Sequence, residues 1–307
     1  MILVQILLLA VGFFMLMKGA DWFVEGSAGI AKKMGIPQLV IGLTIVAMGT
    51  SAPEAAVSIN ASIKGNAGIA IGNVLGSNIL NILIILGISA ILATMAIQRS
   101  TFCYEIPFMI FVTVVLIALG MTGGYVTRVE GIILWVLFIV YLLYLFRLAK
   151  QGAEEENSED RPIWKLFISM VIGGILVVWG SDVTVDSATE IAKMIGLSER
   201  FIGLTIVALG TSLPELVTSV IAAKKGNADI AIGNIVGSNI FNILFVIGTA
   251  SIIAPVMYQP VFLVDGIIAV LAGVLLWVSV AKTKSLRKPW GIVMLLCYAG
   301  YLGYLLV

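Results

Sequence analysis

The chain has 307 residues, of which 60% are hydrophobic and 11% charged, and its formal net charge is +1. Soluble domains carry roughly 25% charge, so this composition excludes a soluble globular fold, and the near-zero net charge gives no pull toward nucleic acid. The absence of histidine removes the usual zinc or copper ligand and the usual proton shuttle.

A membrane-spanning helix needs about 20 apolar residues, and ten such stretches follow in order. The first runs from Ile2 to Ala31 and carries Asp21 and Glu25 in its second half. It lacks a basic leader and an A-x-A-like cleavage site, so it reads as a retained span and not a removed signal peptide. The second runs from Pro37 to Ile63, and the third follows Lys64-Gly65-Asn66 to Leu92. Tyr104 to Met121 and Val129 to Leu148 are the fourth and fifth. An acidic stretch, KQGAEEENSEDRP over 150–162, comes next. It lacks the D-x-[DN]-x-[DN]-G calcium-loop pattern and reads as a solvated linker. The remaining spans are Ile163 to Lys193, Phe201 to Ala223, Ala228 to Pro255, Pro260 to Ala281 and Pro289 to Val307. Cys103 and Cys297 are isolated and read as packing residues.

Residues 42–83 recur as residues 203–244, without a gap, and 29 of the 42 positions are identical. The offset of 161 also relates Asp21 to Asp182 and Glu25 to Asp186. The chain therefore divides into two five-span halves, 1–149 and 163–307, joined by the linker. An odd span count turns the second copy upside down in the membrane. That predicts an all-α membrane protein of two inverted repeats with broken helices at the centre, the plan of secondary transporters. With the N-terminus outside, 13 Lys and Arg fall in cytoplasmic loops and 4 in external ones, leaving Lys18 inside a span. The positive-inside rule then puts both termini outside and the linker in the cytoplasm.

Within the repeat, Ala47, Thr50, Ser51 and Glu54 share one helical stripe, as do Ala208, Thr211, Ser212 and Glu215. Ser77 and Asn81 are one turn apart, as are Ser238 and Asn242. Pro53 and Pro214 deprive the carbonyls of Gly49 and Gly210 of their helical partners and let those of Ala47 and Ala208 splay. Carbonyls freed at membrane depth survive where they line a cavity or meet an ion. Carboxylates, hydroxyls, amide oxygens and carbonyls are hard ligands, suited to calcium or sodium and not to zinc, copper or iron. Glu54 and Glu215 supply a charge of −2, which one calcium or two sodium ions neutralise. Leaving them ionised and empty is costly at this depth, so the empty carrier reorients poorly and the two fluxes couple. The serines and asparagines could equally be helix-packing glue, and Gly72, Gly76, Gly233 and Gly237 suit close helix contact. Asn73, Asn78, Asn234 and Asn239 read as structural, as do Asp21 and Asp182.

The motifs GTSAPE (49–54) and GTSLPE (210–215), with GSNILN (76–81) and GSNIFN (237–242), resemble the sodium/calcium exchanger family within the wider cation/calcium antiporters. The resemblance covers the whole chain, and the short linker is similar to prokaryotic members. It implies a carrier moving sodium inward and calcium outward by alternating access, with no cofactor and no protein partner required. It implies that Glu54 and Glu215 are carboxylates shared by both ions and that Thr50 and Thr211 give carbonyls to calcium. Ser51, Ser77, Ser212 and Ser238, with the Ala47 and Ala208 carbonyls, would line sodium sites, and Asn81 and Asn242 would close the middle. The first and sixth spans would slide across the rest. Some members, including potassium-dependent ones, have an acid in place of Asn242, so the amide argues against potassium. Calcium/proton exchangers have GN-x-x-E where this chain has its two Thr-Ser motifs, although protonatable glutamates keep that alternative open. A cation channel fits worse, since channels repeat around a pore axis, and an enzyme lacks the residues for catalysis.

Overall fold

The computed structural model describes residues 2–63, 68–151, 161–195 and 208–305. The described residues form a bundle of helices, because apolar chain in lipid satisfies its backbone only within helices or closed barrels. In order these are α1 (Ile2–Met34), α2 (Gln38–Thr50), α3 (Ala52–Ile63), α4 (Ile69–Leu92), α5 (Thr101–Met121) and α6 (Arg128–Gln151). The second half has α7 (Ile163–Met194), α8 (Ala208–Thr211), α9 (Leu213–Lys224), α10 (Ala228–Ile253), α11 (Val261–Ala281) and α12 (Lys288–Leu305). Seven of the described helices are long and apolar enough to cross a membrane, or eight if the bent pair α2–α3 counts as one. The expected seventh span begins outside the described residues. In the 18-residue α12, Lys288, Tyr298, Tyr301 and Tyr304 dilute the apolar character. Most of the expected linker also lies outside the described residues.

The centre is α10 and α4, whose apolar stretches are 94% and 78% buried, against 17% for α1. Both contain one widened, π-helical turn, Asn81–Leu86 and Asn242–Ile247. Such turns re-aim side chains without ending a helix. The α2–α3 pair bends by 51° at Ser51. Ser51 (φ −81°, ψ 6°) and Ser212 (φ −93°, ψ 4°) have left helical geometry in the same way. Each stands two residues before its proline, so the break follows from the missing donor and ring clash.

Around this centre, α1 and α7 cross closely through glycines. An added Cβ on Gly12 would lie 2.4 Å from Thr184, and one on Gly180 would lie 2.9 Å from the Leu16 nitrogen. One on Gly19 would lie 2.8 Å from Val177, and one on Gly173 would lie 2.4 Å from Phe23. Two short antiparallel strand pairs tie the halves at their loops. β1 (Met95–Ala96) pairs with β4 (Ser285–Leu286), and β2 (Tyr125–Val126) pairs with β3 (Val256–Met257). By sequence offset β1 corresponds to β3 and β2 to β4, so the two pairs are counterparts of each other and no strand pairs with its own counterpart.

Candidate cation site

At the α2–α3 and α8–α9 breaks, Glu54 and Glu215 lie wholly buried, both 0% exposed. Each is held by the other half's serine. The Ser51 hydroxyl donates to Glu215 Oε1 at 2.8 Å, and the Ser212 hydroxyl donates to Glu54 Oε1 at 3.1 Å. The second oxygen of each carboxylate, Oε2, has no hydrogen-bond partner. Neither glutamate has a basic partner within ion-pair distance among the described residues. A buried carboxylate oxygen left bare is expensive unless something positive approaches it.

Asparagines supply the rest of the interior. Asn81 Nδ2 donates to Asn239 Oδ1 at 3.0 Å, and Asn242 Nδ2 faces Ser77 Oγ at 3.4 Å and Asn78 Oδ1 at 3.3 Å. With their amide nitrogens engaged, Asn81 and Asn242 leave their Oδ1 atoms buried and unpartnered. Asn78 and Asn239 also bridge α4 and α10 reciprocally, each Nδ2 donating to the other's carbonyl at 3.1 Å. These bonds tie α4 to α10, while the Oδ1 atoms of the same two asparagines hold Asn81 and Asn242.

Thr50 is buried, and its single hydroxyl proton has three acceptors in reach: Asn234 Oδ1 at 3.0 Å and the carbonyls of Val46 at 3.1 Å and Ala47 at 3.4 Å. Asn234 in turn donates to Ser219 Oγ at 2.9 Å. In the first half Asn73 donates to Ser58 Oγ at 2.9 Å and to the Glu54 carbonyl at 3.3 Å. Thr211 is only half-buried. The side chain of Ala208 lies outside the described residues.

The proline breaks are resolved differently from the expectation. The Ala47 carbonyl still accepts the Ser51 N–H at 3.0 Å, and the Ser238 hydroxyl approaches it at 3.4 Å. It is therefore shared between the helix and the interior. The Gly210 carbonyl freed by Pro214 accepts the Ser181 hydroxyl from α7 at 2.8 Å. The position corresponding to Ser181 is Ala20, which has no hydroxyl. Gly49 instead adjoins a cavity of about 490 Å³ lined also by Phe23, Ile45, Trp179 and Asp182. Ser58, Ser219 and Ser181 were not singled out from the sequence. The first two share the offset of 161 and sit one turn beyond the glutamates, which would have marked them.

Four buried, unpartnered oxygens from two carboxylates and two amides, with hydroxyls and carbonyls near them, make a candidate hard-cation site inside a bundle of apolar helices. This combination suits an ion carrier. The family profile described as "Sodium/calcium exchanger protein" matches residues 4–147 and 165–307. The chain is 40% identical over 312 residues to the "Putative antiporter CaxA" of Alkalimonas amylolytica, covering 97% of this chain and 98% of that one. It is 32% identical over 346 residues to the "Sodium/calcium exchanger MaX1" of Methanosarcina acetivorans, covering 98% of each. The sodium-calcium exchanger NCX_Mj, in a structure soaked with zero Na+ and Ca2+, superposes with a TM-score of 0.88 at 32% identity. The match covers 99% of this chain and 100% of that one. The chain belongs to the sodium/calcium exchanger family.

Proposed function

We propose that the protein exchanges sodium for calcium by alternating access at the Glu54–Glu215 site, taking sodium in and extruding calcium. The carrying observation is the pair of reciprocally held carboxylates, each with one bare buried oxygen. Calcium takes six to eight oxygens in irregular geometry. Glu54 and Glu215, the Thr50 and Thr211 carbonyls, and Asn81 and Asn242 closing the middle offer six such groups. Sodium would use the same carboxylates with Ser51, Ser77, Ser212, Ser238 and the Ala47 and Ala208 carbonyls. Because both ions need Glu54 and Glu215, neither cargo fits fully beside the other, and competition couples the fluxes. A charge of −2 balanced by one calcium or two sodium ions also accounts for reorientation only when loaded, since a bare pair must cross a low-dielectric interior.

The proposed frame is two inverted five-helix repeats, 1–149 and 163–307, with ten spans and both termini outside. The strand pairing supports this. In an upright duplication, corresponding loops lie on one side, whereas here β1 meets β4 and not its counterpart β3. Loops that carry β1 and β4 therefore share a face, as inversion requires. In this frame α1 and α7, locked by their glycines, are the pair that slides across the rest.

The deciding experiment is radioactive calcium uptake into vesicles loaded with sodium, with external potassium and pH varied in turn. Uptake that rises with the outward sodium gradient and is indifferent to potassium is the expected result. Uptake driven by a pH gradient alone would overturn sodium coupling in favour of proton exchange.

A further inference from the structure

The two strand pairs do the same structural work at opposite ends of the molecule, yet their charge differs sharply. Around β1–β4 stand Arg99, Lys282, Lys284, Arg287 and Lys288, all exposed. Around β2–β3 the one basic side chain is Arg128, which donates to the Ile253 carbonyl at 3.3 Å, and Glu130 lies two residues away. The fold therefore does not require five cations to make this joint.

The five are left available. None has an acidic partner within ion-pair distance among the described residues. Asp229, on the same face, is held by Gln98 at 2.7 Å. Lys284, at φ 47°, lies over the Phe102 ring with Nζ 3.0 Å from its centroid, which fixes the turn. Arg287 uses Nε on Ser285 Oγ at 3.0 Å and keeps its two terminal nitrogens for another acceptor. A guanidinium in that state suits the paired oxygens of a phosphate.

The depth of the patch also fits a headgroup. It lies where α11 ends at Ala281, α12 begins at Lys288 and α5 begins at Thr101. Trp277, whose ring nitrogen donates to the Phe102 carbonyl at 2.9 Å, and Trp290 flank it. Tryptophans concentrate at the membrane–water boundary, and clustered cations beside a span attract anionic lipid.

We infer that the β1–β4 face is a docking surface for the phosphate headgroups of anionic phospholipids. Such a lipid would bridge the α11–α12 turn to the start of α5, joining the two halves at one membrane surface.

The test uses the full chain in nanodiscs of mixed phosphatidylglycerol and phosphatidylcholine, with lipids retained on extraction counted by mass spectrometry. The wild type should retain phosphatidylglycerol preferentially. The variant Lys282→Gln/Lys284→Gln/Arg287→Gln/Lys288→Gln should lose about tenfold or more of that preference, since each surface cation contributes several-fold. Arg128→Gln should leave it unchanged. Should the fourfold variant fail to give a monodisperse peak, Arg287→Gln alone should lower retention about threefold. Equal retention by wild type and a folded variant, or equal loss with Arg128→Gln, would overturn the inference. The readout does not depend on calcium flux, so it stands or falls separately from the exchange reading.

Discussion

At the centre, each half lends its serine to the other half's glutamate, and the asparagine bridges between α4 and α10 are mirrored as well. The outer helices are unequal. α1 lies along α9, with Leu16 and Ala20 grouped with Val177 against Leu213, Val217 and Ile221. The corresponding helix α7 lies chiefly against α1, and beyond it touches the first half at Ala47–Thr50 and not along α3. Helices in corresponding places of the repeat thus adopt two environments. The centre holds its serine–glutamate geometry because both ends of those two bonds are duplicated. The edge is free to differ because its contacts are apolar slopes and glycine crossings, which fit more than one register.

The sharpest way to break the central symmetry is to neutralise one glutamate. Glu54→Gln and Glu215→Gln should each lower calcium binding by about 100-fold or more, because removing one partner of a buried charged site costs about 3–5 kcal/mol. Calcium binding to purified protein, followed by calorimetry, measures this. Reciprocity demands that the two losses be similar. A large loss in one variant and none in the other would show that the halves do not share the site equally.

A smaller, different effect belongs to the edge. Gly19→Val or Gly180→Val drives a side chain into backbone less than 3 Å away. Overpacking of this kind costs about 1–3 kcal/mol and should fall on the α1–α7 unit. Flux should drop about tenfold while calorimetric calcium affinity stays near wild type. If affinity falls as far as flux, the glycine crossing supports the site itself and the separation of centre from edge fails.

That division also explains what was legible in the sequence. A duplicated block with proline beside glutamate announces two helix breaks and two buried carboxylates, since proline geometry and helical periodicity are local. The positions of Thr50, Ser51, Ser77 and Asn81 on common stripes are local too. Which half's hydroxyl reaches which half's carboxylate is not local, and Ser51 could as well have bonded Glu54. Ser181 filling the Gly210 carbonyl was equally hidden, because a serine in a long apolar helix carries no mark of what crosses it. The pairing of β1 with β4 needed two-residue strands, too short for any alternation to register. Even the count of spans was least readable where polar residues matter, at the tyrosine-rich α12.

The ion cluster on the closed edge gives the gentlest test. Lys225 at the end of α9 reaches Asp21 at 3.0 Å and Glu25 at 2.8 Å on α1, and Arg161 meets Glu25 at 3.5 Å. Partial burial pulls the Lys225 ammonium down, but hydrogen bonds to Glu25 and Asp21 outweigh it and hold it above its usual range. The three side chains are 28%, 36% and 44% exposed, so solvent screens them and the cluster contributes about 1 kcal/mol at most. That suits a latch, because a stronger bond would hold one state permanently. The matching lysine, Lys64, lies outside the described residues, whereas its would-be partners Asp182 and Asp186 are present. Lys225→Gln should therefore loosen α1 from α9 without touching the glutamates. With Cys103 and Cys297 replaced by alanine, Val217→Cys should react with a membrane-impermeant maleimide up to about fivefold faster in the Lys225→Gln background, at unchanged calcium affinity. Unchanged labelling would mean that apolar contact alone closes this edge, and the asymmetry would then rest on Leu16, Ala20 and their neighbours.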